Sequence, residues 1–318
     1  MGHLPQIAFL AGTAAAAAGI LIVRRTRRLS SIRPSLVHFT NDICPFSYRV
    51  VLAQALSPIT PAAKMIRVPY KRQLDFAAKW SGDTWQHTQL GNDVLKRKGS
   101  PGDNFADSLP TAFASRAEAL QALKDDYVAT INPNGEVPAL RLPSGAVLVG
   151  SEVCTEYFAL AGTGRSPLVP DDPELACRMR QAMARFNQVT GLLFKLLTNQ
   201  DPAGDDEIQT SIQSSLEHFV SVLDKSGGFC LGSRPTLADV HCAPILYRLD
   251  VGLTYWRRLS LRALNPRVDQ ILEAVTALPE WQSTNLMNDD DIVANYELPA
   301  HGNKWAADGL NFAGRGRS

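Results

Sequence analysis

The sequence predicts two domains of different class, a mixed α/β domain followed by an all-helical one. Three observations carry this. An apolar stretch from Leu36, a polar turn and a proline-opened helix lead to a second apolar stretch at Lys64–Val68, the start of a βαβ unit. Two short apolar runs then flank Pro143-Ser144-Gly145, which reads as a hairpin. From Glu174 to Trp281 the apolar residues recur at helical spacing. With 318 residues the chain is long enough for both units.

Residues 1–35 precede the first domain. Ile7–Val23 is apolar apart from Thr13, and it ends at Arg24-Arg25-Thr26-Arg27-Arg28. Its length suits a spanning helix, and arginines on its C-terminal side would leave the folded body in the cytosol, on the mitochondrial outer membrane or the endoplasmic reticulum. The absence of acidic residues before Asp42, with serines beyond the arginines, also describes an organellar transit peptide. Membrane anchoring with a cytosolic body and an organelle interior after cleavage therefore both stand.

The α/β domain is expected over 36–165. It opens Leu36-Val37-His38-Phe39-Thr40, turns at Asn41-Asp42-Ile43, and reaches Cys44-Pro45-Phe46. Proline is suited to a first helical position, so Cys44 should sit at a helix N-terminus. Unpaired amides and the helix dipole there favour a thiolate. A helix should run from Pro45 to about Ala55. Residues 72–129 form a long polar insertion, helical from Ala112 to Tyr127. Val137-Pro138 then leads into the hairpin, and Ser151 is placed to cap a helix running through Leu160. Leu168–Pro173 reads as a linker, the helical domain occupies 174–285, and the polar, glycine-containing residues 287–318 are expected to be an extended tail.

Composition narrows the chemistry. The net charge of +1 supplies no basic surplus for phosphates and argues against a nucleic-acid partner. Five scattered cysteines (Cys44, Cys154, Cys177, Cys230, Cys242) include no Cys-x-x-Cys and no zinc-ligand spacing, so no metal is expected. Ser47 stands where a dithiol motif would carry its second cysteine. Redox chemistry at Cys44 must therefore use an external resolving thiol.

The order βαβ with Cys-Pro-Phe, Val-Pro before a hairpin, a serine-led helix and an all-helical domain resembles the glutathione transferase superfamily. Cys44-Pro45-Phe46 is most similar to the omega class, the cysteine-type dehydroascorbate reductases and the chloride intracellular channel proteins. Leu168–Pro173 resembles the family's linker, Thr236-Leu237-Ala238-Asp239 its buried capping box, and Pro244 an omega-type helix kink. The resemblance covers roughly Leu36–Tyr70 and Ile131–Trp281. It implies a thioredoxin-like N-terminal domain, glutathione as co-substrate, a small electrophilic or disulfide substrate in the interdomain cleft, and a possible homodimer.

The same resemblance assigns roles. Cys44 would be the nucleophile, with Phe46 bordering the glutathione site. Pro138 would be cis, and the Val137 backbone would pair with the peptide of glutathione. Ser151 would hold the γ-glutamyl carboxylate, and Lys71 lies near a lysine position of omega-type proteins. Where the family carries an acidic residue before the serine, this chain has Gly150. Either Glu152 takes the amine contact or the contact is missing. Thr236 and Asp239 would be structural. The implied function is an omega-like thiol transferase or reductase working through a mixed disulfide. A non-catalytic, channel-like or scaffold protein and a membrane-anchored glutathione-dependent isomerase are the alternatives.

Overall fold

The computed structural model describes residues 35–57, 59, 63–69, 116–161 and 168–301. The segment Ile7–Val23, Lys71 and most of the 72–129 interval lie outside these residues. Among the described residues no helix is long and apolar enough to cross a membrane.

Four strands form one sheet in the order β2-β1-β3-β4: β1 (Val37–Thr40), β2 (Lys64–Arg67), β3 (Ala139–Arg141) and β4 (Val147–Val149). β1 and β2 are parallel, joined by α1 (Pro45–Leu56). β1–β3 and β3–β4 are antiparallel, the second pair being the hairpin expected around Gly145. All four β1 residues are buried because helices cover both faces. Val37 and Phe39 join a core with Tyr127 and Ile131, while the His38 ring meets Phe158 edge-on at 6.4 Å.

The helix α2 (Arg116–Thr130) forms the crossover between β2 and β3. Its narrow stripe of Leu120, Leu123 and Tyr127 packs inward. The stretch assigned to the insertion thus ends in a helix that belongs to the domain itself. The polar character of its remaining faces hid this, since a stripe three and four residues apart is all that one buried face needs.

The helix α3 (Ser151–Ala161) closes the first domain. Ser151 is not its cap. The first helical bond runs from Cys154 N–H to the Gly150 carbonyl, which puts Gly150 at the cap and Ser151 at the first helical position. Gly150 has φ +91°, a conformation that glycine adopts without the strain a side chain would bring.

The second domain comprises α4 (Pro173–Thr198), α5 (Asp205–Val220), α6 (Leu237–Arg257), the short α7 (Leu261–Leu264), α8 (Pro266–Thr276), α9 (Pro279–Thr284) and α10 (Asp289–His301). Asp172 caps α4 through the Leu175 amide. The long helix α6 begins with a complete capping box. Asp239 Oδ2 accepts from the Thr236 N–H and hydroxyl, and Oδ1 accepts from Cys230 N–H at 2.7 Å. Pro244 lies inside α6. Leu168 is fully buried and its carbonyl accepts from Leu237 N–H, so the linker is fastened to the start of α6.

The expectation of an extended tail from 287 is corrected by α10. Asn288 and Asp291 cap each other's backbone N–H, and three aspartates in the first turn face the positive end of the dipole. Ile292, Tyr296 and Ala300 recur every four residues and are buried. Gly252 on α6 makes room for Tyr296: a Cβ there would meet Tyr296 Cδ2 at 2.5 Å. The tail's glycines all lie beyond His301, so they do not bear on this helix.

Arg257, at the end of α6, is buried. Its guanidinium donates to the carbonyls of Leu196, Leu197 and Asn199 at the end of α4, and to Ala300 in α10. One buried cation therefore satisfies the C-terminal carbonyls of two helices.

Candidate active site

Cys44 occupies the cap position of α1, with φ −88° and ψ 116°, and its Sγ accepts from Ser47 N–H at 3.4 Å. Cys44 is 4% exposed, and its sulfur lies 3.7 Å from the Val137 carbonyl. The polar turn before it is held by Asn41, whose Oδ1 accepts from Ile43 N–H while its Nδ2 donates to Val68. The thiol is thus aimed by a rigid turn and faces the first-turn amides.

Opposite it runs the loop that follows α2. Asn132 Nδ2 and the Tyr127 hydroxyl both donate to the Glu136 carbonyl, and Asn132 Oδ1 accepts from Asn134 N–H. Burial, the main cause, pushes the Tyr127 phenol well above its ordinary range. The Val137–Pro138 peptide is cis. The Pro138 carbonyl accepts from Gly150 N–H at 3.4 Å, which ties this loop to the start of α3.

These parts enclose a cavity of about 480 Å³ lined by Cys44, Phe46, Asn132, Asn134, Glu136, Val137, Pro138, Val149, Gly150 and Ser151. That volume is of the size that holds a small-molecule ligand. Five of the residues singled out from sequence (Cys44, Phe46, Val137, Pro138 and Ser151) therefore converge on one space. Phe46 also stacks on Phe194 of α4, with ring centroids 6.0 Å apart, and so bridges the domains.

Glu152 is not among them. It is exposed, does not line the cavity, and accepts from Asn187 Nδ2 of α4 at 2.9 Å. A helix turns about 100° per residue, so the neighbour of a cavity-facing Ser151 points elsewhere. The acid that does line the cavity is Glu136. Its signal was its place directly before Val137-Pro138. Lys71 lies outside the described residues, and Thr236 and Asp239 are in the capping box at the start of α6.

The buried histidines and the other buried cysteines do not line this cavity. His38 is buried and its pKa is lowered to about 4, mainly by desolvation. His241 is pushed down to about 2 by burial and by Arg49, and its Nε2 meets Asn187 Oδ1 at 2.8 Å. Cys230 and Cys242 are free, buried thiols with sulfurs 3.6 Å apart, and burial raises the Cys230 thiol well above its usual range.

Ser151 lines the cavity at the N-terminus of α3, where a hydroxyl and the amides of the first turn suit a carboxylate. With a thiol, a peptide edge at Val137 and a carboxylate at Glu136, the cavity can take a zwitterionic thiol peptide. Glutathione, the group that this fold implies, fits that donor and acceptor set.

The family model for the glutathione S-transferase C-terminal domain matches residues 198–274. A maleylacetoacetate isomerase from Pseudomonas aeruginosa is 28% identical over 180 residues, which is 52% of this chain and 77% of that protein. A probable chloroplastic glutathione S-transferase from Oryza sativa subsp. japonica is 25% identical over 171 residues, covering 54% of this chain and 58% of its own length. The crystal structure of the omega 3C glutathione transferase from Trametes versicolor superposes with a TM-score of 0.57 at 17% identity, over 86% of this chain and 94% of that one. At that identity the likeness is one of fold. The match in the helical domain and the curated relatives together support the glutathione transferase superfamily, and the architecture of both halves has that fold.

Proposed function

We propose that this protein is an omega-like, glutathione-dependent thiol transferase or reductase that works through a mixed disulfide at Cys44. The observation that carries this reading is a cysteine, rather than a hydroxyl residue, at the cap of α1, accepting from Ser47 N–H and facing the cavity. The likenesses to an omega transferase fold and to a probable chloroplastic glutathione S-transferase support it.

The chemistry balances without a metal. The Cys44 thiolate attacks the glutathionyl sulfur of a mixed disulfide, forming Cys44–S–S–glutathione and expelling the other thiolate, which takes a proton from solvent. A second glutathione thiolate then attacks that sulfur. It regenerates the Cys44 thiolate and leaves as oxidised glutathione. Ser47 N–H stabilises the thiolate each time it is released. The Val137 backbone, Ser151 and Glu136 hold the peptide, and the space between Phe46 and the helical domain receives the electrophile.

The test is turnover of the hydroxyethyl–glutathione mixed disulfide by the full chain and by Cys44→Ala, with mass spectrometry for the Cys44 adduct. Turnover and adduct should both vanish in the variant. Turnover that survives in Cys44→Ala, or a folded wild type with none, would sink the reading. The likeness to a maleylacetoacetate isomerase supports a second reading, in which a bound glutathione thiolate adds reversibly to a conjugated double bond. Isomerase activity retained in Cys44→Ala would favour it.

On its sequence alone, we also place the body on the cytosolic side of a membrane, anchored by Ile7–Val23. Release of the full chain by alkaline carbonate would overturn that placement.

A further inference from the structure

Arg49 is 2% exposed, yet none of its contacts is a carboxylate. Its Nη1 donates to Ser151 Oγ at 3.1 Å and its Nε donates to the His241 carbonyl at 2.6 Å. Its Nη2 has no hydrogen-bond partner, and the guanidinium lies 5.1 Å from the Phe46 ring centroid. Burial lowers its pKa to about 10, so it stays charged at neutral pH. A buried cation with no ion-pair partner is costly, and the charge of Glu152 offsets that cost only in part. Its contacts show what it acts on.

The contacts close a ring. His241 Nε2 meets Asn187 Oδ1, Asn187 Nδ2 donates to Glu152, and Glu152 is the chain neighbour of Ser151. The ring therefore joins α1 and α3 of the first domain to α4 and α6 of the second. At its cavity end lies a single hydroxyl. Ser151 Oγ accepts from Arg49, and among the described residues no hydrogen bond takes the hydroxyl's own proton. With one lone pair occupied by Arg49, the hydroxyl can rotate its proton toward an acceptor in the cavity that Ser151 lines.

We propose that Arg49 is a positioning residue that makes Ser151 a hydrogen-bond donor selective for a carboxylate, and that it ties this selectivity to the docking of the helical domain. The inference rests on the glutathione reading above and deepens it. Arg49 does not line the cavity. It acts through Ser151 and through its positive charge one residue behind the ligand.

The test compares S-methylglutathione, which cannot form a disulfide, with its analogue bearing a carboxamide in place of the γ-glutamyl α-carboxylate. Binding of each to the full chain is measured by calorimetry. The wild type should prefer the carboxylate by about 10- to 100-fold, the size of a charge-assisted hydrogen bond. Arg49→Met should erase most of that preference, and adding Ser151→Ala to it should cost nothing further. Arg49→Lys keeps the charge in case Arg49→Met does not fold, and it should show an intermediate preference. A purely structural arginine would weaken both ligands alike, and an unchanged preference in both variants overturns the proposal. A folded wild type that binds neither ligand overturns the glutathione reading itself.

Discussion

Acid should unfold this protein earlier than its carboxylates require, because two neutral imidazoles are locked inside it. Desolvation lowers His38 from 6.5 to about 4, with Arg67 adding to the effect and Gln54 opposing it. His241 falls from 6.5 to about 2, through burial and the neighbouring Arg49. Above about pH 6.5 both rings are neutral in folded and unfolded chains alike. Below it the unfolded chain takes up two protons that the folded chain refuses, so stability falls as pH falls. At about pH 5 each ring costs roughly 2 kcal/mol, and the pair roughly 4 kcal/mol. That is a large part of a domain stability of about 5–15 kcal/mol. The slope should be about 2.7 kcal/mol per pH unit down to about pH 4, then about half that once His38 itself protonates. Urea unfolding at pH about 7.5 and about 5, for the wild type and His38→Leu, isolates the effect. The variant should lose roughly 2 kcal/mol less between the two pH values than the wild type does. An equal loss in both proteins would refute the reasoning.

Arg257→Met strips four carbonyls at the ends of α4 and α10 of their donor. It should cost at least about 3 kcal/mol, with early hydrogen exchange in α10 as its local signature. Asp239→Asn turns an acceptor that serves Cys230 and Thr236 into a donor facing donors. A loss of about 2–4 kcal/mol is expected, against about 1 kcal/mol for Thr236→Val; equal losses would contradict the geometry. Gly252→Ala places a methyl group 2.5 Å from Tyr296. It should destabilise by about 1–3 kcal/mol, and Tyr296→Ala in the same chain should relieve that strain. Glu136→Gln should raise the KM for glutathione roughly tenfold, whereas Glu152→Gln should leave it near the wild-type value.

What could be read in advance were the features that act over a few residues. A proline at a first helical position places Cys44 at a cap, and Pro-Ser-Gly between apolar runs makes the hairpin. Thr236 and Asp239, three residues apart, make a capping box wherever a helix starts there. The helical domain was legible for the same reason, since periodicity repeats over many turns. The Asn288–Asp291 box was equally local, but the glycines beyond His301 drew the whole segment into one reading.

Tertiary structure decided what depends on which surfaces meet. Glu152 looked available because it follows Ser151, yet the turn of α3 sends it to Asn187 on α4, and Glu136 reaches the cavity from the other side. The helix α2 was visible as a helix, but not as the support of the Glu136–Pro138 loop through Tyr127 and Asn132. Arg49 and Arg257 carry no sequence signal of burial, because an arginine is enclosed only where distant helix ends and hydroxyls converge on it. The sequence alone placed the thiol at its helix cap. The groups that surround it come from segments nearly a hundred residues away, and only packing brings them together.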